Sequence, residues 1–248
     1  SIADYTKAIK IDPDDAFTYA SRGEAYFWLD NYKKSIADYT QAIKIDPYDA
    51  VFYEDRGDAY YWLDKYEESI ADYTQAIKID PDNAYAYGFR GDAYASLDNY
   101  EKAIDDYTQA IKIDPDDAYT YSGRGDAYYW SDNYEKSIAD YTQAIKIDPS
   151  DTDLYENRGD AYFMLDKNEE SIADYTQAIK IDPDNAYAYT SRGDAYFMLD
   201  KNEESIADYT QAIKIDPDIA YAYASRGDVY LILENYKKSI ADYTQAIK

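Results

Sequence analysis

The sequence contains no cysteine and no histidine. Disulfides, thiolate nucleophiles, imidazole bases and the usual zinc ligands are therefore excluded together. Only carboxylates, tyrosines and amines remain for chemistry, and no part of the chain carries a unique pair of acid and base. We expect a protein without enzymatic activity, without a cofactor and without a metal site.

Basic residues are scarce: 25 lysines and arginines stand against 51 aspartates and glutamates, a formal net charge of −26. Nucleic acids and anionic membranes bind proteins through clustered basic side chains, so neither is an expected partner, whereas cationic partners are favoured. The chain also lacks an apolar run of transmembrane length and a signal-like segment at Ser1. We interpret the chain as a fragment whose compartment is unknown, with the cytoplasm slightly favoured.

Proline and glycine are few, but they recur at a fixed interval. The seven prolines lie 34 residues apart, and seven of the nine glycines keep the same step. A constant period of this length is typical of a solenoid, whose units stack on their neighbours and bury one continuous core. Aromatic residues, 17% of the chain with 34 tyrosines, supply that core. The prolines are Pro13, Pro47, Pro81, Pro115, Pro149, Pro183 and Pro217, and the glycines are Gly23, Gly57, Gly91, Gly125, Gly159, Gly193 and Gly227.

Each unit reads as two helices, which we call helix A and helix B. Helix A of the first complete unit is predicted over residues 16–29, after an N-capping Asp15. Its stripe Tyr19, Gly23, Tyr26 and Leu29 is predicted to face the neighbouring helix. A glycine inside a helix costs about 1 kcal/mol relative to alanine, so close packing must compensate for it.

Helix B of the same unit begins after the Asp30-Asn31 turn and ends at Asp46-Pro47. Its small Ala42 is the expected contact of the helix A glycine. An Asp or Asn stands before helix A in six units, and only Ile219 breaks that rule. The other five are Asp49, Asn83, Asp117, Asp151 and Asn185.

These positions resemble the tetratricopeptide repeat, whose 34-residue unit carries the pattern W-x2-L-G-x2-Y…A-x3-F…P. Gly23, Tyr26, Ala42 and Pro47 match outright, and the departures are Ser35 for Ala and Arg22 for Leu. The resemblance covers the whole chain. It implies an all-α fold, a right-handed α-solenoid of antiparallel helix pairs that forms a superhelix.

The resemblance also divides the chain into units. Residues 1–15 are predicted to be helix B of a truncated repeat, and residues 16–219 six complete units. Residues 220–248 form a seventh unit that lacks its last five residues. The segment from Gly159 to Asp184 recurs unchanged as Gly193 to Asp218, a sign of recent duplication or of consensus design.

All seven arginines occupy one position of helix A, within the predicted core stripe. A buried unpaired guanidinium would cost several kcal/mol, and helix B offers one aspartate at the edge of its buried face. We expect structural ion pairs, with a row of ligand-facing arginines as the alternative. The predicted pairs join Arg22, Arg56, Arg90, Arg124, Arg158, Arg192 and Arg226 to Asp38, Asp72, Asp106, Asp140, Asp174, Asp208 and Asp242 respectively.

Tetratricopeptide repeats line a concave groove with the second, fifth, ninth, twelfth and thirteenth residues of each unit. Here these positions hold no lysine or arginine, ten carboxylates and thirteen aromatic residues. The resemblance therefore implies an acidic, aromatic groove. The candidate peptide-binding residues are Trp28, Glu54, Asp58, Trp62, Tyr85, Gly88, Asp92, Tyr119, Asp126, Trp130, Asp160, Met164, Asp194, Met198 and Asp228.

Two features of this predicted groove bear on its partner. Small residues in the third unit, Gly88 among them, are expected to leave a hollow for an anchor side chain. Cation-π contacts supply about 0.5 to 2 kcal/mol each, so lysine or arginine of a partner can lie over the aromatic faces. The alternative is that the carboxylates form a solvated face and the aromatic residues pack against the next helix A.

We therefore expect a protein–protein interaction scaffold that captures a basic, partly apolar peptide or protein segment. The lysine and arginine residues that a carboxylate clamp needs are absent from the predicted groove, which argues against recognition of an acidic chaperone tail. The alternative is a homo-oligomer, a structural array that associates through exposed terminal helices.

Overall fold

The computed structural model describes residues 1–247, which form fifteen α-helices and no strands. The predicted all-α class and the alternation of A and B helices are confirmed. Lys248, at the end of the seventh predicted unit, lies outside the described residues. The A helices are α2 (Ala16–Phe27), α4 (Ala50–Tyr61), α6 (Ala84–Ala95), α8 (Ala118–Trp130), α10 (Thr152–Met164), α12 (Ala186–Met198) and α14 (Ala220–Ile232). The B helices are α1 (Ile2–Ile11), α3 (Tyr32–Ile45), α5 (Tyr66–Ile79), α7 (Tyr100–Ile113), α9 (Tyr134–Ile147), α11 (Asn168–Ile181), α13 (Asn202–Ile215) and α15 (Tyr236–Ala246).

The chain divides into two compact bodies, an N-terminal body of residues 1–127 and a C-terminal body that begins at residue 128. In the N-terminal body, consecutive helices from α1 to α7 pack together, and α4 also contacts α2 and α6. In the C-terminal body, consecutive helices from α9 to α15 pack together, and α12 also contacts α10 and α14. Within each body the A helices therefore lie side by side in one layer.

The A helices begin where the sequence predicts, at a side-chain cap. Asp15 accepts a hydrogen bond from the backbone N–H of Phe17, and Asn83 accepts one from Ala86. Such a cap stabilises a helix by about 1 kcal/mol. Ile219, before α14, provides no side-chain cap, so the seventh A helix begins without this contribution.

An acidic residue in the left-handed conformation follows each A helix, with φ between 54° and 58°. Asp30 is the first of them, and the next residue, Asn31, donates its N–H back to the carbonyl of Tyr26 at 2.9 Å. This closure ends α2 at Phe27, before the predicted end. Leu29 is 66% exposed, so its prediction as part of the packed stripe is wrong.

The periodic glycines of the A helices pack against tyrosine rings of the B helices. A Cβ atom added to Gly91 would lie 2.9 Å from Cε1 of Tyr107, and one added to Gly193 would lie 2.8 Å from Cε1 of Tyr209. Both tyrosines are almost completely buried. Ala42, the expected contact of Gly23, is also buried. The atoms closest to Gly23 are those of the Tyr39 ring, however, so the predicted contact with Ala42 is wrong.

Candidate functional site

The arginines of the A helices lie inside the helix layer and are held by three neighbours. Arg22 donates to both carboxylate oxygens of Asp38 at 2.7 Å and to the hydroxyl of Thr6 at 3.0 Å. Its guanidinium also lies 5.9 Å from the ring centre of Tyr19. Arg124 donates to Thr108 at 3.0 Å. The same paired geometry holds for Arg56–Asp72, Arg90–Asp106, Arg158–Asp174, Arg192–Asp208 and Arg226–Asp242.

These arginines join helices rather than face a ligand. Six of them bridge the B helix of their own unit and the B helix before it, and their side chains are about one-sixth exposed or less. These six are Arg22, Arg56, Arg90, Arg158, Arg192 and Arg226. Because the guanidinium donors bond within the fold, the arrangement supports the expected structural ion pairs over a row of ligand-facing arginines.

Large apolar side chains are exposed at the C-terminal ends of the A helices. Trp28, Trp62 and Trp130 are 75%, 61% and 67% exposed, respectively. Met164 and Met198 occupy the equivalent position and are about half exposed. An exposed apolar side chain recurs here in every unit but the third, which has Ser96. Recurrent exposure of this kind is typical of a surface that binds other molecules.

The aspartates at the ninth position of the A helices form hydrogen bonds with tyrosines. Asp92 accepts from Tyr107 of its own unit at 2.6 Å and from Tyr119 of the next unit at 2.7 Å. Each Asp–Tyr cluster therefore joins two successive units. The same two contacts occur at Asp58 with Tyr73 and Tyr85, at Asp160 with Tyr175 and Tyr187, and at Asp194 with Tyr209 and Tyr221.

Burial dominates the titration of these clusters. It raises the pKa of Asp92 above the ordinary range, while the hydrogen bonds from Tyr107 and Tyr119 partly oppose the rise. Asp58, Asp160 and Asp194 are shifted in the same direction for the same reasons. Four of the predicted carboxylates therefore lie among the A helices of their own body, and each already accepts hydrogen bonds from two tyrosine hydroxyls.

Two glutamates of the predicted acidic face pair with the cap of the next A helix. Glu54 accepts from the amide nitrogen of Asn83 at 2.6 Å, and Glu156 accepts from that of Asn185. Burial raises the pKa of Glu156 to about 7. Asparagine can donate to a carboxylate where a capping aspartate would repel it, which explains why these caps are amides.

The other predicted residues lie in different surroundings. Asp228 is exposed and accepts from Tyr243 at 2.5 Å, and Asp126 is half-buried. Gly88 lines a cavity of about 190 Å³ in the N-terminal body, together with Tyr85 and Tyr119. Aromatic rings therefore form part of the wall at Gly88, and the hollow for an anchor side chain in the third unit stays a prediction.

A larger cavity of about 560 Å³ lies in the C-terminal body. Three predicted residues line it: Asp160, Met164 and Asp194. Its walls come from the end of α8, from α10, α11, α12 and α14, and from the turn at residues 216–219 between α13 and α14, and they contain no lysine or arginine. The remaining lining residues are Tyr129, Phe163, Tyr175, Ala186, Tyr187, Thr190, Ser191, Asp216, Ile219 and Tyr221.

The sequence prediction missed several residues of this cavity. Tyr187 and Tyr221 occupy the same groove position as the predicted Tyr85 and Tyr119 but are not among the predicted residues. Each donates a hydrogen bond to an aspartate 27 residues earlier, Asp160 or Asp194. Ile219 did carry a signal, since it breaks the capping rule that the six other A helices follow. A broken local rule is a known indicator of a functional surface.

Two absences apply to residues 1–247. No group of three or more acidic side chains there is arranged to hold a metal ion. Over the same range no helix has both the length and the hydropathy to cross a membrane.

Family models match almost the entire chain. Five matches described as TPR repeat cover residues 57–88, 91–131, 125–166, 159–200 and 193–231. Two described as tetratricopeptide repeat cover residues 16–49 and 220–248. The chain belongs to the tetratricopeptide repeat family. No curated protein sequence matches it significantly.

Solved structures show the same fold at low sequence identity. A tetratricopeptide repeat protein from Parabacteroides merdae has a TM-score of 0.72 and 20% identity over 93% of this chain and 91% of its own. The C-terminal part of a TPR repeat-containing protein from Cytophaga hutchinsonii has a TM-score of 0.78 and 17% identity, over 91% and 93% of the two chains. YrrB, described as a TPR protein with an unusual peptide-binding site, has a TM-score of 0.66 and 21% identity over 74% and 95%. This tetratricopeptide repeat chain therefore shares with them the architecture of stacked helix pairs.

Proposed function

We propose that this chain is a non-enzymatic scaffold that binds a basic, partly apolar segment of a partner protein on the exposed face of its A helices. Tetratricopeptide repeat proteins mediate protein–protein interactions, and a structural relative carries a peptide-binding site. The observation that carries the proposal is the cavity of about 560 Å³, whose walls combine apolar side chains with three carboxylates and no basic residue.

The net charge of the chain and its exposed apolar side chains both support a basic, partly apolar partner. The net charge of −26 attracts a cationic segment over a long range, and this attraction weakens with salt. At contact, the exposed tryptophans and methionines supply apolar area, and methionine adapts its shape to different partners. The partner segment should therefore carry both basic and apolar side chains.

A peptide-binding experiment tests the proposed function. Four peptides of equal length combine a basic or an acidic charge with apolar or polar spacers, and titration calorimetry measures their affinity at low and at physiological salt. We expect the basic, apolar peptide to bind most tightly and to lose affinity as salt rises. Equal binding of the acidic, apolar peptide, or no binding of any peptide, would contradict the proposal.

Self-association is the second candidate function, and one observation favours it. Ile240 of α15 is 66% exposed, whereas the equivalent Ile206 of α13 is half-buried against the core around Tyr209. Ile240→Lys should then lower the molar mass measured by light scattering at high protein concentration. A mass equal to one chain at every concentration would exclude this candidate.

A further inference from the structure

We infer that the cavity of the C-terminal body binds one cationic side chain, a lysine ammonium or an arginine guanidinium, of the partner protein. This inference rests on the proposed function and makes it specific to one site. Three independent features of the cavity support it: the direction of its hydrogen bonds, the charge of its walls and the apolar surface at one side.

The hydrogen bonds of the cavity leave acceptors and few donors. The hydroxyls of Tyr175 and Tyr187 both donate to Asp160, at 2.5 and 2.7 Å, and the hydroxyl of Tyr221 donates to Asp194 at 3.2 Å. Each tyrosine proton is therefore directed toward a carboxylate, so the phenolic oxygen can only accept a further bond. A ligand that enters must supply the donors, and ammonium and guanidinium groups carry donors alone.

The charge of the walls selects a cation over a neutral donor. The lining residues include three carboxyl groups, those of Asp160, Asp194 and Asp216, and no lysine or arginine. Asp216 is exposed, and its Oδ1 accepts only the backbone N–H of Asp218, at 3.0 Å, among the hydrogen bonds described for it. A cation in the cavity would therefore meet negative charge from three helical segments without a competing positive charge.

The apolar side of the cavity fits the stem of a basic side chain. Phe163, Met164 and Ile219 line it, and Met164 is about half exposed. Lysine and arginine bury their aliphatic stems along apolar surface while the charged head reaches polar groups. Ile219 stands where the other A helices have a capping Asp or Asn, so the chain has an apolar residue at this wall in place of a helix cap.

The chain provides a matched control for each wall. Met164 and Met198 occupy the same place in two identical segments, but only Met164 lines the cavity. Asp160 and Asp92 each accept two tyrosine hydroxyls at similar distances, but Asp92 lies in the N-terminal body and is not part of this cavity. A binding defect that is much larger in Met164→Ala and Asp160→Asn than in Met198→Ala and Asp92→Asn would therefore be separate from a general loss of stability.

The experiment uses the full chain and a basic, apolar peptide with one basic residue at its centre. Calorimetry compares peptides with lysine, arginine, trimethyllysine, citrulline or norleucine at that place. We expect lysine and arginine to bind and citrulline and norleucine to bind about tenfold more weakly or worse. Weaker binding of trimethyllysine than of lysine is also expected, because the quaternary ammonium has no N–H to donate.

The four variants locate the site, and circular dichroism verifies that each is folded. Met164→Ala and Asp160→Asn should each weaken binding about tenfold, while Met198→Ala and Asp92→Asn, which lie outside the cavity, weaken it much less. Equal affinity for the lysine and norleucine peptides, or equal losses in the paired variants, would overturn the inference. If the charged peptides bind and all four variants match the wild type, the proposed function stands and the cavity is not the site. If no basic peptide binds, the proposed function fails as well.

Discussion

Two stretches of the C-terminal body share one sequence and differ in their surroundings. Gly159–Asp184 and Gly193–Asp218 are identical, and each contains the last six residues of an A helix and the whole of the following B helix. Met164 of the first stretch lines the large cavity, whereas Met198 of the second does not. Identical residues therefore acquire different roles, because their neighbours along the chain differ.

Two of the neighbours that differ are the residue before the next A helix and a residue in the first half of the A helix itself. The first stretch is followed by Asn185, which caps α12 and donates to Glu156. The second is followed by Ile219, and Thr190 occupies the position of Glu156. A polar contact between two units is thereby replaced by apolar surface, and that replacement helps to form the cavity.

The largest expected effect is a loss of stability on removal of the arginine that directly precedes each stretch, and it should be the same for both. Arg158→Met and Arg192→Met each remove the partner of a buried aspartate, Asp174 or Asp208, and the hydrogen bonds are alike in the two sites. An uncompensated buried charge costs about 3 kcal/mol or more. We expect both variants to lose about that much free energy of unfolding in urea titrations.

A double variant provides the control. Arg158→Met with Asp174→Leu removes both charges, so a large part of the lost free energy should return. The free energy of unfolding lost by Arg192→Met could instead be much smaller than that lost by Arg158→Met. The two stretches would then differ in their buried ion pairs as well as in the cavity.

The period of the sequence predicts the features that every unit repeats. The helix pairs, the caps at Asp15 and Asn83, and the spacing that places Arg22 opposite Asp38 all follow from a 34-residue repeat of helical patterns. The contacts that join successive units were not predictable in this way. Asp58 and Tyr85 are 27 residues apart and meet only when one A helix packs beside the next. The sequence therefore indicated both residues as groove candidates but not the hydrogen bond between them.

Glycine variants should show opposite signs at two kinds of position. Gly159→Ala and Gly193→Ala place a Cβ atom 2.9 and 2.8 Å from the rings of Tyr175 and Tyr209, so each should cost about 1 to 3 kcal/mol. Gly88→Ala meets only the hydroxyl of Thr120, at 3.7 Å, and should gain up to about 1 kcal/mol. Thermal unfolding measures all three, and stabilisation by Gly159→Ala would show that the tyrosine ring moves aside.

A change at Ile219 makes the second stretch resemble the first. Ile219→Asn supplies the missing cap of α14 and should stabilise the protein by about 1 kcal/mol. Part of that gain is offset, because Ile219 also packs against the core around Tyr209. Calorimetry with the lysine peptide should show weaker binding by the more stable variant. Unchanged affinity would indicate that the apolar wall does not contact the ligand.

The smallest expected effect concerns Glu156, which precedes the first stretch and is replaced by Thr190 before the second. Burial raises the pKa of Glu156 to about 7 from an ordinary value of 4.5. Between these values the folded state binds the proton more readily than the unfolded state, so stability increases as the pH falls from about 7 to about 4.5. Glu156→Gln keeps an acceptor for Asn185 and removes this titration, so unfolding free energies at pH 5 and pH 7 should differ less in the variant. Glu169→Gln, which removes an exposed charge from the following B helix, should retain the wild-type difference. A Glu156→Gln variant with that same difference would show that Glu156 titrates alike in both states.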